Sequence, residues 1–122
     1  MSMPTVDKSM PLRERLRAAL PVAIKARDRD AVKALRSALG AIDNAEAIDT
    51  GDAVRAGAIE ASAAGLGAQE ARRRDLTESD IEAIVAAEIA DRNLAAADYE
   101  GRGRSEYAAA LRAEAEVLAG LL

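Results

Sequence analysis

The sequence predicts an all-α protein made of two antiparallel helix hairpins, which form a four-helix bundle-like domain with a long Gly/Ala-rich connector. Apolar residues recur at helical spacing, alanine is the commonest residue type, and no segment alternates apolar and polar residues as a half-buried strand does. The 122 residues suit one domain. We therefore expect a disordered N-terminus over residues 1–9 and a single helical domain over residues 10–122.

The expected core is thin. The apolar fraction is 50%, yet the chain has no Phe or Trp and only two Tyr, and much of its apolar content is alanine. Alanine is the best helix former, but it buries little area. The helices must therefore approach one another closely.

The first helix is expected over residues 10–27. Ser9 is a candidate N-cap, and Pro11 is tolerated in the first turn. The apolar stripe of this helix repeats every four residues, at Leu12, Leu16, Leu20 and Ile24. Pro21 lies inside the pattern and lacks a backbone donor, so we expect a kink there rather than two shorter helices.

A second helix follows the short polar break Asp28-Arg29-Asp30, where Asp28 or Asp30 can cap it. Its apolar stripe consists of Val32, Leu35, Leu39 and Ile42. So short a break predicts an antiparallel hairpin. We expect this helix to end at Thr50-Gly51-Asp52 and the connector to cover about residues 48–75.

The connector contains Arg72-Arg73-Arg74, which has two interpretations. The three arginines could grip a phosphate, or they could form a solvated cluster near the start of the next helix. We favour the solvated cluster, because a run of charge is usually only a solvated surface.

The third helix has the best-marked start in the chain. Thr77 can cap the first turn while Asp80 reaches back, as a capping box requires, and Leu76 and Ile81 have the spacing of a hydrophobic staple. The inward face of this helix combines apolar residues with two charges at positions i and i+4: Ile81, Ile84, Val85, Glu88, Ile89 and Arg92.

The fourth helix follows a flexible break at residues 100–104, with Ser105 as its candidate cap. Its stripe also carries a carboxylate, and consists of Tyr107, Leu111, Glu114, Leu118 and Leu121. Because an unpaired buried charge is costly, we predict an inward polar cluster where the hairpins meet, formed by Arg36, Glu88, Arg92 and Glu114. Arg36 has a second interpretation, as an edge residue with a buried stem and a solvated head.

The chemistry of this cluster is predicted to be structural. Glu88 and Glu114 could hold a hard cation or act as an acid–base pair, but arginines lie close by and nothing suggests a substrate pocket. The chain has no His and no Cys, which excludes Ser-His-Asp and Cys-His nucleophiles and the usual zinc sites. We predict no catalytic residue, no metal site and no cofactor.

The net charge of −4 hides an asymmetry along the chain. Residues 8–36 hold nine Lys/Arg and three acids, a balance of +6. This basic segment could face RNA, with Arg13, Arg17, Lys25 and Arg27 as the candidate contacts. Alternatively it complements acidic helices of the same molecule. The sequence has no apolar run long enough to span a membrane and residues 1–8 lack a signal peptide's apolar segment, so we predict a cytoplasmic protein.

The two hairpins together resemble the YqeY-like family, whose GatB/YqeY domain is shared with the B subunit of the tRNA-dependent amidotransferase. In the first hairpin the resemblance is carried by Lys25, Arg27, Asp28, Leu35, Arg36, Leu39, Ile42, Asn44, Ala45 and Glu46. In the second it is carried by Leu76, Thr77, Ile81, Val85, Glu88, Ile89, Arg92, Gly101, Arg102, Glu114, Val117, Leu118 and Leu121. The order and spacing of these residues, rather than one motif, make the resemblance.

The resemblance implies a helical fold and a link to glutamine-dependent amide transfer on charged tRNA. It implies no catalytic centre, because the active sites of the amidotransferase lie outside this domain. Family members continue into a small helical tail domain, associated with tRNA, where this chain stops. The predicted function is a non-catalytic accessory or binding module for tRNA or a tRNA-modifying complex. One alternative is a protein–protein scaffold or homo-oligomer that uses residues 118–122, and another is a carbon–nitrogen ligase with glutamine as amido-N-donor.

Overall fold

The computed structural model of this chain describes residues 7–57 and 75–122, with side chains described for residues 7–47 and 75–122. These residues form α1 (Leu12–Ala26), α2 (Arg29–Gly57), α3 (Glu78–Gly101) and α4 (Ser105–Leu121), with no strand in either range. The all-α prediction is confirmed. The Arg72-Arg73-Arg74 cluster and residues 1–6 lie outside the described residues.

The start of α1 is capped by another helix. Ser9, the expected cap, instead donates from its amide and hydroxyl to the carboxylate of Asp7, and these bonds lower the pKa of Asp7. The amide of Leu12 donates to Oε2 of Glu78 at 2.8 Å. Residues 7–9, expected to be disordered, therefore form a turn, and α1 runs unbroken through Pro21.

Two residues, Arg27 and Asp28, reverse the chain between α1 and α2. Arg27 lies in the left-handed region at φ 57°, its amide donates to the carbonyl of Ile24, and the amide of Asp28 donates to the carbonyl of Ala23, which is a Schellman motif. Oδ1 of Asp28 then accepts from the amide of Ala31 at 3.1 Å and caps α2. The predicted short hairpin follows from these two overlapping caps.

α2 is longer than expected, because it continues to Gly57 instead of ending at Thr50-Gly51-Asp52. The expected connector boundary near residue 48 is therefore wrong. A helix-interior glycine costs about 1 kcal/mol, and the alanines that flank this segment in the sequence favour the helix enough to offset it.

In the second hairpin, the cap at the start of α3 was predicted and the cap at its end was not. The capping box of α3 is confirmed, since Oγ1 of Thr77 accepts from the amide of Asp80 and Oδ2 of Asp80 accepts from the amide of Thr77, each at 3.0 Å. After α3, Gly103 takes φ 76° in a second Schellman motif. Ser105 is the first residue of α4 rather than its cap, and Arg104 precedes it without a side-chain cap bond.

The core is lined with alanine, as expected, and joins all four helices. Its largest fully buried side chains are Leu12, Leu16, Leu35, Ile42, Leu118 and Val85. Seven alanines are also buried in the described ranges: Ala23, Ala31, Ala34, Ala38, Ala96, Ala108 and Ala115. Each of these alanines buries little area, so the core depends on close helix approach.

Two predicted core residues lie on the surface. Ile24 is 48% exposed, because residues spaced by four advance about 40° per step around a helix and the stripe has drifted off the buried face by its fourth member. Tyr107 is 56% exposed and stacks on Tyr99 with the ring centroids 5.3 Å apart. Ala108 takes its place in the core.

Candidate functional site

A buried group of charges links α3 to α4. Nε of Arg92 lies 3.0 Å from Oε1 of Glu114, and Nη1 of Arg92 lies 3.2 Å from Oε1 of Glu88. The side chain of Glu114 is only 4% exposed and that of Arg92 only 11%. The sequence-based prediction placed these three residues in one cluster, and the structure brings them together.

The fourth member of the cluster is Ser37, not Arg36. The hydroxyl of Ser37 donates to Oε1 of Glu88 at 2.6 Å and so brings α2 into the network. Arg36 is exposed. Ser37, about 100° further around α2, is the residue that faces Glu88, and Arg36 faces solvent instead. The expectation that Arg36 pairs with Glu88 is therefore wrong.

The arrangement suits a structural link better than a reactive centre. Arg92 stands between two carboxylates and also donates to the backbone carbonyl of Glu88 at 3.1 Å, so its charge is neutralised on both sides. Within the part of the chain that the structure describes, no three acidic side chains gather as a metal site would require.

A second buried charge, which the sequence analysis missed, is Arg15. This residue is 7% exposed, and its guanidinium donates to the carbonyls of Leu121 at 3.0 Å, Lys8 at 3.1 Å and Met10. It therefore caps the end of α4, where the helix dipole favours a cation. The sequence does indicate that Arg15 is buried, because it follows Leu12 by three positions and directly precedes Leu16, and both leucines belong to the buried stripe.

An open cleft of about 550 Å³ lies beside Arg15, between the turn that precedes α1, the first turns of α3 and the residue Leu122. Two of the charged side chains that line it are already engaged, Arg15 with three carbonyls and Glu78 with the amide of Leu12, and Lys8 and Glu82 also line it. The bonds of Arg15 and Glu78 fix where α1, α3 and α4 meet.

The candidate RNA contacts divide into two groups. Nη2 of Arg13 lies 2.6 Å from Oε1 of Glu46, and both side chains are largely buried, so Arg13 belongs to the α1–α2 packing and not to an open surface. Its inclusion among the candidate contacts is therefore wrong. Arg17, Lys25 and Arg27 are exposed.

Six cations of the first hairpin are exposed: four lie in its turn or within five residues of it, whereas Arg17 lies in the second turn of α1 and Arg36 in the third turn of α2. We call this group the basic hairpin end; it consists of Arg17, Lys25, Arg27, Arg29, Lys33 and Arg36. No side chain of the six forms an ion pair or hydrogen bond with any residue that the structure describes. The alternative interpretation, in which this segment complements acidic helices of the same molecule, therefore receives no support from these six cations. The sequence-based prediction did not include Arg29 and Lys33 among the candidate RNA contacts, although their i, i+4 spacing places them on one face of a helix.

The surface predicted for a scaffold or homo-oligomer, residues 118–122, is part buried and part exposed. Leu118 is fully buried and Leu121 is half-buried, whereas Ala119, Gly120 and Leu122 are exposed. No helix in the described ranges is long and apolar enough to cross a lipid bilayer.

Comparisons with known proteins found no match to this chain among protein-family models, curated proteins or solved structures.

Proposed function

We propose that this chain is a non-catalytic, YqeY-like accessory module that associates with RNA, in the setting of a tRNA-modifying complex. One observation carries the proposal: a chain of net charge −4 keeps six exposed cations at the basic hairpin end without a described partner. A cationic surface of this kind attracts a polyanion and raises its association rate.

The interior supports a binding role and not a catalytic one. Glu88 and Glu114 are both paired with Arg92, and the guanidinium of Arg15 donates to backbone carbonyls. A catalytic group needs a proton-transfer or nucleophilic function that is not consumed in this way. The absence of cysteine from the sequence suits the reducing cytoplasm, where we propose that the protein acts.

Binding of purified protein to fluorescently labelled tRNA, followed by anisotropy between 50 and 200 mM KCl, tests the proposal. Release of counterions from only three phosphates would weaken binding about 40-fold over that range. Absence of binding at 50 mM KCl would contradict an RNA-associated function. Binding that does not change with salt would contradict the basic hairpin end as its cause.

A further inference from the structure

We infer that a row of three cations on α2, formed by Arg29, Lys33 and Arg36 and called here the α2 cationic row, binds the phosphate backbone of RNA without reading its bases. The inference rests on the proposed function and assigns it a face, a chemistry and a specificity.

The row occupies one face of α2. Its members are spaced by four and then three residues, so they lie within about 60° of one another and span roughly 10 Å along the helix axis. All three are exposed, and the buried Leu35 and Ala38 lie on the opposite side of the helix. The row is therefore a continuous cationic surface held by a packed helix.

The positions of these cations are unfavourable for the free protein. Arg29 lies in the first turn of α2, where the positive end of the helix dipole repels a cation. The three cations also repel one another, as like charges at i, i+3 and i, i+4. Residues 25–36 hold five Lys/Arg against Asp28 and Asp30, a balance of +3, and Asp28 is already engaged as the cap. An anionic partner would relieve this repulsion.

The chemistry of the row favours phosphate over bases. The only aromatic residues of the sequence, Tyr99 and Tyr107, lie on the second hairpin, so this face has no ring on which a base could stack. Arginine and lysine bind phosphate oxygens as bidentate and point-charge donors respectively. Contacts of this kind position a nucleic acid without reading its sequence.

A membrane surface fits the row less well. The described outer face of α2 carries no exposed large apolar side chain, and an interfacial helix needs an apolar face to enter the lipid. Val22 and Ile24 on α1 are exposed, at 64% and 48%, and are the reason to include lipid vesicles in the test.

The test compares two variants of the full chain that change the net charge equally. R29Q/K33Q/R36Q removes the row, and the matched control R102Q/R104Q/R112Q removes three exposed cations at the turn of the second hairpin. Each is titrated with tRNA and with a 20-base-pair RNA duplex of arbitrary sequence at several KCl concentrations. We expect the row variant to lose about three units of salt slope and at least 10-fold in affinity at 100 mM KCl for both RNAs. The control is expected to stay within about 3-fold of wild type.

The outcomes distinguish a failure of the α2 cationic row as the binding face from a failure of the proposed RNA-associated function. If wild-type protein binds RNA but the two variants lose affinity equally, the row is not the binding face, while the RNA-associated function stands. If wild-type protein binds neither RNA, the proposed function fails and the inference fails with it. Binding by the row to vesicles containing anionic phospholipid, with no binding to RNA, would also overturn it. Because removing the row relieves repulsion, the variant is expected to melt at the wild-type temperature or higher, so loss of binding cannot be ascribed to unfolding.

Discussion

At the scale of single residues, the two hairpin turns use the same backbone conformation but place different residue types in it. Each places one residue in the left-handed region, Arg27 at φ 57° and Gly103 at φ 76°. Glycine adopts this conformation without steric penalty, whereas a residue with a Cβ pays roughly 1 kcal/mol for it. The sequence marked the second turn by its glycines but gave no sign that Arg27 would take the strained position.

Replacing Arg27 with glycine is therefore expected to stabilise the protein by about 0.5–1 kcal/mol, since the relief of strain exceeds the added freedom of the unfolded chain. Urea denaturation measures the change. Lys25→Gly, two residues earlier and inside α1, is the matched control and is expected to destabilise by about 1 kcal/mol. Destabilisation by Arg27→Gly would show that the arginine side chain contributes more than its backbone strain removes.

Replacing Arg15 is expected to reduce the stability of the protein, because its guanidinium holds three backbone carbonyls. Arg15→Lys keeps the charge but loses the planar donor fork that reaches three carbonyls, and we expect a loss of about 2 kcal/mol. The exposed Arg17→Lys, one half-turn away, serves as the control and should change stability by less than about 0.5 kcal/mol. Equal effects of the two substitutions in thermal unfolding would contradict a capping role for Arg15.

At the scale of elements, the buried pair of Arg92 and Glu114 fixes how α3 lies against α4. Alanine-rich helices can slide past one another with little change in buried area, whereas a buried ion pair satisfies both charges in one register only. Glu114→Gln is expected to destabilise by about 2 kcal/mol, because Arg92 loses the charge of one of its two carboxylate partners and keeps that of Glu88.

A double-mutant cycle separates this pairing from the burial of each group. The variant Arg92→Met/Glu114→Leu removes both charges, so it should be less destabilised than the sum of the two single substitutions. Urea denaturation of the four proteins gives the coupling energy. Additive effects would show that Arg92 and Glu114 act independently in spite of their 3.0 Å separation.

Local rules predicted the elements well, and long-range contacts account for the misses. The capping box of α3 and the Asp28 cap need only residues near one another in the chain, so the sequence was sufficient to find them. The start of α1 depends on Glu78, 66 positions away, and no local pattern reveals such a cap. The cluster was predicted from charges in apolar stripes, but choosing Ser37 over Arg36 required knowing how α2 is rotated against α3.

At the scale of the whole molecule, the charged side chains differ in whether they have a partner. The interior charges face opposite charges or carbonyls. At the second turn Arg102 pairs with Asp98 and Arg112 with Glu100, and Arg104 lies over the ring of Tyr107. The basic hairpin end has no such partner among the described residues. The uneven pairing makes this end a source of repulsion in the free protein.

This repulsion predicts how stability depends on salt. At 20 mM NaCl the variant R29Q/K33Q/R36Q should melt about 2–4 °C above wild type, because it removes two like-charge pairs and an unfavourable interaction with the dipole of α2. At 500 mM NaCl the Debye length falls to a few ångströms, and the difference should shrink to about 1 °C or less. Differential scanning fluorimetry measures both values. R102Q/R104Q/R112Q loses two ion pairs and a cation–π contact instead, so it should melt at or below wild type at low salt. If the row variant were the less stable of the two at 20 mM NaCl, its cations would be supporting the fold, and the inference that they are kept for an anionic partner would lose its energetic basis.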